Sequence, residues 1–407
     1  MKKMLKAMLL GLLCICLLAG CGGISGNTGT AGTTETVATT APEDLQPQFS
    51  YTTVEYTNPL KFYKQDGNEY HVTVADPDIY RDDETGYFYM YCTNTYCEMG
   101  DKGMQYDRGP IFRSENLVDW VWIGSVFADS PNALDWHDAN AGVWAPAVIK
   151  VGDTYNYYYS LSLLGDSNPG IGVATAPTPY GPWTHYGKLL DQEMTGVVNG
   201  IDPFPFYDGE SLYIVWGSFF GIACTLLTDD GTELFYGDQV KDHITYLIAD
   251  NTEGKGMNTE INYEGAYLLR HNGKIYFFGS MGSFTSSTYA TYHVRAGVAD
   301  QFLEPFTNHD GILLSEAPYG DVVINPNEIV SGVGHNTVVQ DFAGEYWLFY
   351  HGYDLNGEYP RERIAFMDKI LWDEETGMPY VENREASIGE IKTGPVIVDF
   401  SKMEDSK

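Results

Sequence analysis

Three carboxylates and an imidazole recur at matching places in this 407-residue chain. Asp76 stands in VADPDIY (74–80), Asp202 in GIDPFPF (200–206), Glu264 in NYEGAYL (262–268) and His335 in GVGHNTVV (332–339). Each precedes a glycine by 7 to 10 residues: Gly86, Gly209, Gly273 and Gly344. Each glycine leads into an aromatic run: YFYMYC (87–92), LYIVWGS (212–218), IYFFGS (275–280) and YWLFYHG (346–352). A fifth copy, WAPAVIKVGDTYNYYYS (144–160), has Ala145 at the acid position and Gly152 at the turn. Two carboxyls facing each other across a pocket are the minimum for hydrolysing a glycosidic bond. One protonates the leaving oxygen; the other activates water or attacks directly. A third carboxylate beside the acid raises its pKa by like-charge repulsion. Among 56 acids, three carboxylates mean nothing by type alone. Their shared phase in the repeat is the signal, set against plain Asx-type capping at strand starts for the two Asp-Pro pairs.

The elements that position them follow from the spacing. Asp76, Ala145, Asp202, Glu264 and His335, taken as equivalent, lie 69, 57, 62 and 71 residues apart. A unit repeated at this period reads as a solenoid or propeller. Within each unit, short runs of Tyr, Phe, Val and Ile are punctuated by Gly, Pro, Asn and Asp, the pattern of antiparallel strands. The expected fold is all-β: a five-bladed β-propeller of four-stranded blades around a central channel. Five innermost strands would bring Asp76 and His335, 259 positions apart, to one mouth of that channel.

Residues 1–21 read as a targeting segment, with Lys2, Lys3 and Lys6 before an apolar stretch too short for a permanent span. The stretch ends in Leu18-Ala19-Gly20-Cys21, which resembles the bacterial lipobox; that resemblance implies cleavage before Cys21 and its lipidation, enough for stable anchoring outside a membrane. An ordinary secretory peptide with a chance cysteine is the alternative. Residues 22–44 are Gly, Thr, Ser and Ala with almost no large apolar side chains, a flexible tether. The globular domain is expected over 45–400. The formal charge is −33; without the three leader lysines, 20 basic residues face 56 acidic ones. That excludes nucleic acid as a partner and leaves neutral polysaccharide open. Cys92, Cys97 and Cys224 remain beside Cys21, too few for a disulfide framework. Cys92 and Cys97 either bridge or stay as buried thiols. No Cys/His spacing matches a zinc site.

Over residues 70–385 the chain resembles glycoside hydrolase family 43, the five-bladed arabinanases, β-xylosidases and arabinofuranosidases. The resemblance implies Asp76 as general base, Glu264 as general acid and Asp202 as pKa modulator, acting with inversion. WAP (144–146) matches a signature of the sugar-binding face, which places Trp144 under the reacting sugar; a blade-core tryptophan is the plainer reading. Phe219, Phe220 and Phe284 line the cleft or merely pack. His335 matches a channel histidine that in arabinanases lies by calcium or another ion. A structural calcium near His335 is therefore implied, with a metal-free histidine as the alternative and no cofactor required for catalysis. FRSENLVDW (112–120), GSFFGI (217–222) and STYATYHVRAG (287–297) are most similar to the arabinan-degrading branch. The implied substrate is plant cell-wall arabinan, with arabinoxylan open. Ala75 and Ala147 depart from that branch, which usually carries His and an acid there. A β-xylosidase or α-L-arabinofuranosidase, and a non-catalytic glycan-binding lipoprotein, are the competing readings.

Overall fold

Each aromatic run becomes the second strand of a four-stranded antiparallel blade, because its alternating large side chains are buried on both faces between neighbouring sheets. The computed structural model describes residues 49–99, 102–249 and 263–403. The leader 1–21, Cys21 and the tether 22–44 lie outside the described residues. Five blades form a ring, as the repeat predicts. Their innermost strands are Asp78–Arg81, Gly142–Val151, Phe204–Asp208, Glu264–His271 and Val330–Gln340. Their second strands are Phe88–Tyr91, Thr154–Ser162, Ser211–Trp216, Lys274–Met281 and Tyr346–Asp354. The glycines between them all have positive φ, from 58° at Gly152 to 87° at Gly344, which side chains rarely tolerate.

The core is five separate interfaces, one between each pair of neighbouring blades. Tyr89, Tyr157 and Tyr159 join blades one and two; Tyr158, Ile214 and Trp216 join two and three. Val215, Leu268 and Phe277 join three and four; Phe278, Leu348 and Phe366 join four and five. Met90 and Phe112 meet Trp347 and Phe349 where five returns to one. Closure there is reinforced from outside the blades. Tyr51–Tyr56 pairs antiparallel with Lys392–Val398, and Lys61–Tyr63 adds a parallel fifth strand to blade one. Cys92, Cys97 and Cys224 are buried free thiols, so Cys92 and Cys97 do not bridge.

Candidate active site

Every blade has a backbone kink at or just before its innermost strand, and the fifth has a second at Gly332, φ 61°. Asp76, Ala145, Asp202 and His335 all have positive φ, 56°, 41°, 61° and 50°. The fourth blade's kink is at Gly265, φ 60°, not at Glu264. The equivalence expected from the carboxyls is therefore one residue out in that blade. Asp76, Ala145, Asp202, Gly265 and His335 surround a void of about 20 Å³ in the channel, room for about one water. Glu264 instead occupies the preceding position, with Ala75, Trp144, Ile201 and Gly334. In blades two, four and five the strand pairing shifts register around the kink. A bulge of this kind re-aims side chains at a rim, and here it delivers side chains from both positions to one mouth of the channel.

That mouth opens into a cavity of about 570 Å³ lined by Asp76, Asp202, Glu264, His335 and Trp144. Phe219 and Phe284 also line it; Phe220 does not. Phe220 follows a tight turn in which its amide bonds the Ser218 carbonyl, 2.9 Å, and it sits outside the cavity. Ala75 lies in the cavity wall, so the missing histidine changes the substrate face. Ala147 lines the channel beneath and not the cavity, so the missing acid does not.

The three carboxyls are all buried but differently partnered. Asp76 Oδ2 accepts from Thr93 Oγ1 at 2.5 Å. Its Oδ1 lies 3.3 Å from Arg363, 3.3 Å from His335 Nδ1 and 3.2 Å from His351 Nδ1. Burial works against its charge, but His335, Arg363 and His351 outweigh it and hold its pKa well below the usual carboxylate value. Burial pushes Glu264 up to about 7, with Asp76 adding to the rise and Tyr292, Ser218 and Arg363 opposing it. Ser218 Oγ donates to Glu264 Oε2 at 2.8 Å. Among the described residues Asp202 accepts only the Gly265 amide, 3.3 Å. Burial, then the charges of Glu264 and Asp76, raise it well above its ordinary value. The pair Asp202–Glu264 titrates together, since like charges so placed resist ionising at once. One ionised carboxylate therefore faces a protonated one near neutral pH.

Several site residues have no carboxyl to announce them. Arg363, with Arg361 and Glu362, reaches the cavity from the edge of blade five's third strand, Ile364–Trp372. Its guanidinium lies 5.0 Å from the Phe284 ring. Thr93, Ser218 and His351 each follow an aromatic run, at a place shared with Ser160 and Ser280; that recurrence was the available signal. Among the described residues no group of three or more His, Cys, Asp and Glu side chains could hold a metal. Calcium takes six to eight oxygens. The void beside His335 has room for about one water. The carboxyls around it, Asp76, Asp78 and Asp202, are already engaged by Thr93 and Arg363, by Thr337 and the Val148 amide, and by the Gly265 amide. The donor set does not fit the implied calcium, and no step is assigned to a metal.

A five-bladed propeller with opposed carboxyls at its channel mouth is the architecture of a glycoside hydrolase. The chain belongs to glycosyl hydrolases family 43, whose model matches residues 70–379. It is 25% identical, over 70% of its length and 84% of the relative's, to an extracellular exo-α-(1→5)-L-arabinofuranosidase of Cellvibrio japonicus. It is 27% identical, over 69% and 82%, to the arabinan endo-1,5-α-L-arabinosidase A of Aspergillus niger. The α-L-arabinanase of Cellvibrio cellulosa, solved with arabinohexaose, superposes with a TM-score of 0.63 at 22% identity, covering 77% of this chain and 96% of that one. At that identity the likeness concerns the fold.

Proposed function

We propose that this family 43 hydrolase cleaves α-L-arabinan or arabino-oligosaccharides with inversion, Asp76 acting as general base, Glu264 as general acid and Asp202 as the modulator of Glu264. The observation that carries this reading is the split between the buried carboxyls: Asp76 held ionised beside His335 and Arg363, Glu264 raised to about 7. An ionised carboxylate can take a proton from water while a neutral one gives a proton to the leaving oxygen. Trp144 supplies an aromatic wall for the sugar, with Phe219 and Phe284 beside it. The names of the relatives support arabinan as substrate. The exo-acting Cellvibrio japonicus relative favours a second reading, release of single arabinofuranosyl units, and Ala75 marks the wall where such a difference would lie. The test is the product pattern from linear arabinan, branched arabinan and xylo-oligosaccharides, with the anomeric configuration of the first product followed by NMR. Retention of configuration, or activity confined to xylo-oligosaccharides, overturns the reading. We further propose that Cys21 anchors the chain outside a membrane through lipid. Cys21→Ala should then move the protein from the membrane fraction to the soluble one.

A further inference from the structure

We propose that Tyr292 and His351 form a rigid bridge that positions the two reacting carboxyls against each other, His351 orienting Asp76 and Tyr292 orienting Glu264. The proposal rests on the base and acid roles given above.

The argument begins with the joints between blades. The residue at the end of each aromatic run reaches the next blade's kink. Ser160 Oγ accepts the Asp202 amide, 2.9 Å, and Ser280 Oγ accepts the His335 amide, 2.7 Å. Thr93 Oγ1 accepts the Ala145 amide, 2.9 Å, while donating to Asp76. Ser218 donates to Glu264. At the fifth joint the residue is His351, whose Nδ1 lies 3.1 Å from the Asp76 amide. Holding that amide asks only for a hydroxyl, as Ser160 and Ser280 show. The imidazole adds a flat, fully buried ring, kept neutral because burial lowers its pKa to about 4.

That ring lies parallel to Tyr292, centroids 5.6 Å apart and planes 9° off. Tyr292 is also fully buried, and meets Phe284 edge-on at 5.4 Å. Its place exists because residue 334 is glycine: a Cβ there would collide with the Tyr292 ring. The matching positions in the other blades carry Ala75, Trp144, Ile201 and Glu264. Blade five thus gives up its side chain at the mouth to admit a tyrosine from blade four. The tyrosine hydroxyl faces the Glu264 carboxyl closely enough to favour its charged form, and among the described residues neither Tyr292 Oη nor Glu264 Oε1 has another partner. Two stacked plates, each locked by packing, therefore join the base to the acid. Holding reacting groups to well under 1 Å is what such supporting residues contribute.

The experiment measures kcat, KM and pH profiles of the full chain on an unactivated arabino-oligosaccharide. The variants are Tyr292→Phe and His351→Ser, with Asp76→Asn and Glu264→Gln as references. Tyr292→Phe removes one oxygen and keeps the plate. His351→Ser restores the hydroxyl that accepts the amide at three other joints and removes the plate. Each should lower kcat about tenfold or more with KM nearly unchanged, as expected for misplaced reacting groups. Glu264 faces Asp202, Asp76 and Arg363, with Ser218 and Tyr292 as donors. Losing the Tyr292 donor raises the acid's pKa, so the alkaline limb should move to higher pH in Tyr292→Phe. Wild-type kcat with an unmoved limb in Tyr292→Phe overturns the bridge. So does a His351→Ser variant that melts earlier or binds more weakly at unchanged kcat. If His351→Ser fails to fold, Tyr292→Phe decides alone. If Asp76→Asn and Glu264→Gln remain active, the base and acid assignment has failed instead.

Discussion

Asp76 and Glu264 are chemically similar groups given opposite tasks by their neighbours. Arg363, His335 and His351 converge on one. The other has a serine, a tyrosine and a second buried carboxyl, Asp202, beside it. Asp76→Asn should abolish turnover on every substrate, because Asp76 is the buried carboxylate held ionised at the channel mouth, whereas Glu362 in the cavity wall is half-exposed and paired with His71 at 2.8 Å. Glu264→Gln should cripple cleavage of unactivated linkages far more than of aryl glycosides, whose leaving groups need little protonation. Comparing the two variants on both substrate types checks this. The pH dependence follows from the same groups. Glu264 acts as an acid only while protonated, so activity should fall as pH rises through about 7. Asp202 and Glu264 share their protons; Asp202→Asn removes the like charge that keeps the pair protonated. The alkaline limb of kcat/KM should then move to lower pH. A limb that stays in place would mean that Asp202 is neutral throughout and that burial alone lifts Glu264.

At the level of elements, the kink at or just before each innermost strand is the device that assembles the site. Its backbone strain differs by residue. Ala145 holds φ 41° with no carboxyl and no place in the cavity. Ala→Gly in an ordinary strand costs about 0.5–1 kcal/mol; Ala145→Gly should cost nothing or raise the melting temperature. Gly265→Ala should do the reverse, losing about 1–2 kcal/mol to the left-handed backbone while its Cβ meets the His335 ring at 3.0 Å. Thermal melts of the two variants test the pair. The kink also explains what could be read from sequence. Glycine turns, aromatic runs and the order of the acids were legible, and they carried the five blades and the three carboxyls. The one-residue offset in blade four was not, because the eye follows carboxyls whereas the repeat follows φ, and Gly265 satisfies φ without any side chain. Arg363 was invisible for a related reason: it comes from a strand edge that carries no repeat signal. Phe220 and Phe219 look alike in sequence, and only the turn after Trp216 separates them.

At the scale of the molecule, a ring of blades has one joint that chain order does not secure: blade one must meet blade five, the two ends of the repeat. Its apolar interface resembles the other four, but it also carries the Arg363 and His351 contacts to Asp76, so a loosened joint would disturb the base before any other catalytic group. Asn58 is the buried clasp there. It accepts from the Met367 amide at 2.9 Å and donates to the Met367 carbonyl at 2.8 Å and to Ser387 at 3.0 Å. Two residues on, the Leu60 amide bonds the Ala365 carbonyl at 2.9 Å, on the same strand that follows Arg363. Asn58→Ala leaves a buried amide and a buried carbonyl without partners, at about 1–3 kcal/mol for such groups. The expected outcome is a lower melting temperature with KM on arabino-oligosaccharides unchanged, since Asn58 lies outside the catalytic cavity. Asp202 and Glu264 sit on blades three and four, away from this joint. Any loss of kcat in Asn58→Ala should therefore grow on warming towards its melt and vanish on cooling, and a fixed loss at all temperatures would show that the clasp does not act through ring closure.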